Sequence, residues 1–186
     1  MTHTHFIEKK IKYDGSQLTS HFAYNNFGLL GDSIVAFIGP CDVQTTHMVD
    51  LEDVRQNLFI FSENMLHFIV EHFSYSLEHT VALQRLLITN LIQDIEAHDP
   101  EIRLQRRGDD IFDDVCKLSV SIATRSPVST LIHVGVNISS ANTPVLTKGL
   151  DDYKLNPQAV ARGTMNRYKD EVANMARARA KVRGVN

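Results

Sequence analysis

The 186 residues are 43% hydrophobic and 22% charged, with a net charge of −3, and this composition fits one folded globular domain over residues 1–186 rather than a disordered or low-complexity chain. The charge balance gives no overall basic field, which makes nucleic acid an unlikely partner, and no apolar run approaches the roughly eighteen residues that suggest a membrane span. Two cysteines are too few for a disulfide framework, and Met1-Thr2-His3-Thr4-His5 lacks the features of a secretory signal, so reduced thiols and a cytoplasmic location are expected.

In chain order, residues 6–13 read as a first strand closed by the turn dipeptide Asp14-Gly15, after a loose terminus carrying His3 and His5. Residues 16–27 read as a short helix or an ordered loop. The apolar run at 33–38, bounded by Gly31-Asp32 and Gly39-Pro40, predicts a strand covered on both faces near the centre of a sheet. Residues 45–57 are polar and acidic and read as a connection. Ser62 is placed to cap a helix over 63–73, where Met65, Leu66, Ile69, Val70 and Phe73 recur at helical spacing. A second helix of about five turns follows from the stripe Leu77, Val81, Leu87, Ile88, Leu91, Ile92 and Ile95, ended by His98-Asp99-Pro100.

The period then changes to two through 102–107, 109–113, 116–123 and 131–138, and a last helix is expected from the cap Asn156 and Pro157 to about Arg183. Strands, helices, strands and a helix in that order predict an α+β fold, a mixed sheet with helices packed on it.

The strands at 116–123 and 131–138 are the richest in chemistry. Strict alternation sends Leu118, Val120 and Ile122 to a core and Lys117, Ser119 and Ser121 to the other face, while Ile132, Val134 and Val136 leave His133, Gly135 and Asn137 opposite them. If the two strands pair, these small and polar residues form a platform with one ammonium, suited to a phosphate or a developing carbonyl charge. A solvated strand also accounts for Lys-x-Ser-x-Ser, and His133 alone reads as a structural histidine rather than a catalyst; Gly135 within a strand favours close approach of a ligand.

Upstream, Arg106-Arg107-Gly108-Asp109-Asp110 forms a turn in which Arg107 and Asp110 are candidate ligand contacts, or an ordinary polar hairpin. Cys41, after Gly39-Pro40, is a candidate acyl-accepting thiol or a small buried hydrophobe. Cys116 is expected to share the apolar face of Leu118. No metal site is expected, because His67 and His72 lie about 140° apart on the helix assigned to them. His67 and Glu71 share a face there and read as a surface pair. Arg162, Arg167, Lys169, Arg177, Arg179, Lys181 and Arg183 make the last helix basic, which complements its dipole without requiring a partner.

Arg107-Gly108-Asp109-Asp110-Ile111, then Lys117-Leu118-Ser119, then Gly135-Val136-Asn137-Ile138 resembles the motif order of the biotin and lipoate protein ligases. The resemblance implies that Lys117 corresponds to the lysine that contacts the acyl carbonyl and the adenylate phosphate, and Asp110 to the aspartate of the turn. Val120 stands where those families have glycine, and no glycine-rich nucleotide loop accompanies Gly39–Asp42.

Over nearly its whole length, through segments such as Lys12-Tyr13-Asp14-Gly15-Ser16, Gly39-Pro40-Cys41-Asp42-Val43 and Lys117-Leu118-Ser119-Val120-Ser121, the chain more closely resembles the family called domain of unknown function 366. That resemblance implies a largely antiparallel sheet like those of biotin/lipoate ligases and class II synthetases, with no established reaction or cofactor. The resulting expectation is an acyl or acyl-adenylate-like small-molecule ligand. Lys117 and Cys41 are the catalytic candidates, and Arg107, Asp110, Ser119, Ser121, His133, Gly135 and Asn137 the ligand contacts. The competing readings are a binding module without catalysis and a Cys41-dependent acyltransferase; a homo-oligomer is possible under each.

Overall fold

The computed structural model describes residues 1–57, 59–143 and 145–185. A five-stranded sheet is built in the order β1 (His3–Ile7), β2 (Ser33–Val43), β3 (Ile60–His72), β8 (Thr130–Asn137) and β7 (Ser119–Arg125). Only β1 and β2 run parallel; the other neighbours are antiparallel. A smaller sheet of β4 (Gln105–Arg107), β5 (Asp110–Asp113) and β6 (Cys116–Lys117) continues beyond β7. The expected mixed, mainly antiparallel α+β fold is the observed one.

Helices α3 (Leu77–Glu96) and α4 (Pro157–Ala180) pack on one face of the large sheet. Ser76 caps α3 by accepting from His79 N, and Asn156 caps α4 by accepting from Gln158 N and Ala159 N, so both predicted starts are observed. Helix α4 ends at Ala180, a few residues before the expected Arg183. Leu87, Ile88, Leu91 and Tyr168 meet Ile34, Leu66, Phe68, Ile132, Val134 and Val136 in the main core. The opposite face carries a second cluster, with Val35, Phe37, Met65 and Ile69 under Tyr13, Phe22 and Ala23. Strand β2 is therefore covered on both sides, as its apolar run predicts. It lies one place from the central strand β3 and continues through Gly39-Pro40 to Val43.

The expected helix over 63–73 is instead the greater part of strand β3, which ends at His72. Leu66, Phe68 and Val70 enter the main core while Met65 and Ile69 enter the second, so a strand buried on both faces carries apolar residues at every step and imitates helical spacing. Ser62 caps nothing, and its buried hydroxyl has no partner among the described residues. On a strand His67 and His72 project from opposite faces. His72 is sealed on the helix side between Asp32 (Nδ1 to Oδ2, 3.0 Å) and Tyr168 (Nε2 to Oη, 2.9 Å). Glu71 is not a surface residue either: its buried carboxylate accepts from His21 N at 2.8 Å and from Ser129 Oγ at 2.6 Å.

The terminus with His3 and His5 is not loose but forms β1, where His5 packs on Phe27 at 4.3 Å between ring centroids. The first strand thus starts and stops earlier than expected. Beyond Glu8-Lys9-Lys10 the chain returns to β2, with Ile11 N donating to Ile38 O and Tyr13 N to Pro40 O. Within 16–27 a short helix α1 forms at Phe22–Phe27, and the 45–57 connection holds a single 3-10 turn and α2 (Leu51–Arg55), capped by Asp50.

Candidate functional site

Two concavities meet on the sheet face away from α3 and α4, and Lys117 lines both. The first, of about 230 Å³, is polar and is bordered by Tyr13, Asp53, Asp109, Asp110 and His133. The second, of about 310 Å³, is mainly apolar and is bordered by Phe59, Phe61, Met65, Val145 and Asn137. Lys117 Nζ lies 2.7 Å from Asp110 Oδ2, and both residues are partly shielded from solvent. Burial raises the Asp110 pKa, and the Lys117 ammonium works against that rise.

The expected platform forms only in part. His133, Gly135 and Asn137 share the open face of β8, while Val134 and Val136 enter the main core, as alternation requires. Ser119 and Ser121 also border the concavities, but their hydroxyls are turned away from them. The strand breaks at Leu118, between β6 and β7, and the register pairs Ser119 with Val136, Ser121 with Val134, and Val120 with Gly135. Directly paired residues share a face, so Val120 and Ile122 face the ligand side and the two serines face the helices.

There the serines build the turn that holds Asp110. Ser119 Oγ accepts from Ile111 N at 2.9 Å and donates to Asp110 Oδ1 at 3.1 Å. Ser121 Oγ donates to Asp109 O and accepts from Gln84 Nε2 of α3, each at 2.6 Å. Ser121→Ala would leave the buried Gln84 amide short of a partner, and a loss of about 1–3 kcal/mol is expected. Urea unfolding measures it; a change within experimental error would show that the Gln84 contact has no role in holding the turn.

Behind Lys117 a stack of rings crosses the sheet. Tyr13 lies on His133 with centroids 3.8 Å apart, and His67 lies next to Phe37 at 5.0 Å. His67 Nε2 is 3.2 Å from Gly39 O, which only accepts, so Nε2 carries the hydrogen and Nδ1 of the neutral ring is bare. His133 Nε2, 3.1 Å from that Nδ1, must then be the donor, which leaves His133 Nδ1 as an acceptor. Burial holds the His67 pKa down to about 3 and that of His133 well below its usual value, so both rings are neutral at physiological pH.

Other expected contacts are placed elsewhere. Gly135 makes room for protein rather than ligand: a Cβ there would come within 2.9 Å of the Met65 methyl and 3.3 Å of Val120. Arg107 is exposed on β4, where it bonds Gln105 Oε1 and lies over the Phe112 ring, and it borders neither concavity. Cys41 is fully buried in the second core cluster, with its thiol pushed up to about 12 by that burial, so it is a packed hydrophobe and not an activated nucleophile. Cys116 is half-buried on β6, outside the core that holds Leu118. Asp32 serves His72 on the helix side, and Asp42 pairs with Lys12 at the surface. On α4, Arg162 pairs with Glu8 and Arg167 with Asp94. Tyr13, Asp53 and His67 were not anticipated at the site; the clue to Tyr13 was its place before the Asp14-Gly15 turn, beside the segment returning to β2.

A mixed, mainly antiparallel sheet with helices packed on it is also the fold of solved biotin/lipoate ligases. Biotin protein ligase from Aquifex aeolicus, in complex with biotin and ATP, superposes with a TM-score of 0.60 at 12% identity, covering 90% of this chain and 69% of that one.

The particular group is closer. A protein of unknown function from Pyrococcus horikoshi superposes with a TM-score of 0.92 at 38% identity, covering 100% of both chains. The uncharacterized protein MJ0805 of Methanocaldococcus jannaschii is 34% identical over 179 residues, 92% of this chain and 80% of that protein. The domain of unknown function family DUF366 matches residues 2–183, and the chain belongs to that family. No helix among the described residues is long and apolar enough to cross a membrane.

Proposed function

We propose that the protein binds a small acyl ligand, or a closely related carboxylate, with its apolar part among Phe59, Phe61 and Met65 and its carbonyl oxygen at Lys117. The observation carrying this reading is the position of Lys117 Nζ, held by Asp110 at the seam between a polar and an apolar concavity. An ammonium held there by a fixed carboxylate stabilises negative charge on a bound oxygen without having to be ordered when the ligand arrives. Asn137, which borders the apolar side, orients the same end of the ligand. The biotin seen in the Aquifex aeolicus ligase belongs to the same chemical class, an apolar ring system bearing a carboxylate.

A nucleotide fits the surroundings of Lys117 poorly. Asp50, Asp53, Asp109 and Asp110 border the polar concavity against one ammonium, and like charges there oppose a triphosphate. Gly39–Asp42 is also committed to the sheet, with Pro40 O accepting from Tyr13 N and Asp42 N donating to Tyr13 O, so it offers no open loop of N–H groups for phosphates. This favours binding alone, or reaction with a ligand that is already activated, over adenylation.

Isothermal titration with octanoate, lipoate and biotin, each against wild type and Lys117→Ala, tests the reading. A loss of about ten-fold or more in affinity for at least one acid is expected on removing the charge-assisted contact. Equal affinities for both proteins, or no binding of any carboxylate to either, would overturn it. ATP-dependent pyrophosphate exchange in the presence of a bound acid would restore the ligase reading.

A further inference from the structure

The polar concavity carries more acceptors than a carboxylate ligand can use. Among the described residues Lys117 is paired with Asp110, and neither Asp53 nor Asp109 is paired with a cation. Asp50 is occupied at the start of α2, where it accepts from Glu52 N at 2.8 Å. Asp53 lies close enough to Asp109 and Asp50 to feel their charge, and burial together with those neighbours raises its pKa. An organic or metal cation would relieve that arrangement, but carboxylates alone do not define a ligand.

The second observation is independent of them. Tyr13 and His133 are 4% and 3% exposed, and both line the same concavity. Tyr13 Oη makes no hydrogen bond among the described residues, and neither does His133 Nδ1, whose partner nitrogen is already spent on His67. A bare imidazole nitrogen is an acceptor only, and the phenol accepts as readily as it donates. Buried acceptors without partners cost free energy unless a donor-rich group completes them.

Resting on the acyl-ligand reading, and extending it, we propose that the ligand is an α-amino acid with an apolar side chain, or its aminoacyl derivative. Its ammonium sits among Asp53, Asp109, Tyr13 Oη and His133 Nδ1, its carboxyl group at Lys117, and its side chain among Phe59, Phe61 and Met65. The three groups diverge from one carbon in such a ligand, as the two concavities diverge from Lys117. A simple fatty acid satisfies only the second and third. A free metal ion satisfies only the first, and no group of three or more His, Cys, Asp or Glu side chains among the described residues is arranged to hold one.

Calorimetry on the full chain with phenylalanine, leucine and methionine separates these cases. 3-Phenylpropanoate serves as the analogue without the amine, and phenethylamine as the analogue without the carboxylate. At least one amino acid is expected to bind about ten-fold more tightly than either analogue of phenylalanine or its own desamino acid. Asp53→Asn should reduce the preference for the amino acid over its desamino analogue to about two-fold or less, while leaving the desamino acid's affinity unchanged. Tyr13→Phe keeps the ring stack on His133 and removes only the hydroxyl, and it should weaken the amino acid alone.

Equal or tighter binding of the desamino acid would overturn the amino-acid proposal and leave the acyl-ligand reading standing. Binding of phenethylamine as tight as that of phenylalanine would overturn it in favour of a plain cation site, as would competition by magnesium. Failure of every amino acid and every carboxylate to bind would bring down both.

Discussion

Between about pH 7.5 and pH 5.5 the protein is expected to lose about 2–3 kcal/mol of stability, more than carboxylates acting near their ordinary pKa values would produce. The cause is the buried pair His67 and His133. Both folded-state pKa values are depressed, His67 to about 3 by burial and His133 well below its usual value by burial and by the neighbouring ring. In the unfolded chain each titrates near about 6.5.

Below that value the unfolded state therefore binds two protons that the native state refuses, so stability is fully present above the unfolded pKa and is lost as pH falls. The two histidines share this loss, which steepens as the pH falls further below the unfolded value. Asp53 and Asp110 have raised pKa values, held up by burial, and act in the opposite sense. Asp32 has a lowered pKa, so its contribution is lost only at still lower pH. Urea unfolding at several pH values measures the slope, and His67→Gln, which can still donate to Gly39 O, should about halve it. A stability that stays level from pH 7.5 to pH 5.5 would mean that the two rings titrate in the folded protein much as they do in the unfolded chain.

The same pair shows where the sequence stops being readable. Helix α3 was legible from its single buried stripe and its stop at His98-Asp99-Pro100, and α4 from the cap Asn156 followed by Pro157, so sequence signal and structure agree there. Strand β3 was not, because burial on both faces removes the alternation that identifies a strand, and with β3 misassigned His67 was placed on a helix. Lys117, Asp110, His133 and Asn137 could be named in advance because each lies within a few residues of a turn or an unbroken strand. Ser119 and Ser121 were assigned to the wrong face because one residue, Leu118, breaks the strand, and an alternation rule carries no record of a break. Tyr13 and Asp53 reach the site only through the parallel return of 11–13 to β2 and the docking of α2. Topology brings these segments together, and their local composition does not reveal it. For Cys41 and Arg107, suitable chemistry was legible while side-chain direction was not.

Gly39→Ala is expected to be the most damaging single-methyl change at the site, at about 4 kcal/mol or more, enough to leave little folded protein in a domain of ordinary stability. A Cβ on Gly39 would lie 1.9 Å from Ile11 O and 2.6 Å from Ile11 C. Both are backbone atoms, so no side-chain rotation relieves the overlap. The chain could escape only by lifting residues 11–13 from β2, which breaks the bonds from Ile11 N to Ile38 O and from Tyr13 N to Pro40 O. Tyr13 would then leave the face of His133.

Gly135→Ala provides the comparison, because its Cβ would meet the end of the flexible Met65 side chain at 2.9 Å, and Met65 can rotate at a cost of about 1–2 kcal/mol. The expected order in urea midpoint is wild type, then Gly135→Ala, then Gly39→Ala far below or unfolded. If the two alanine variants were equally stable, the close approach of 11–13 to β2 could not be what holds Tyr13 against the histidine pair.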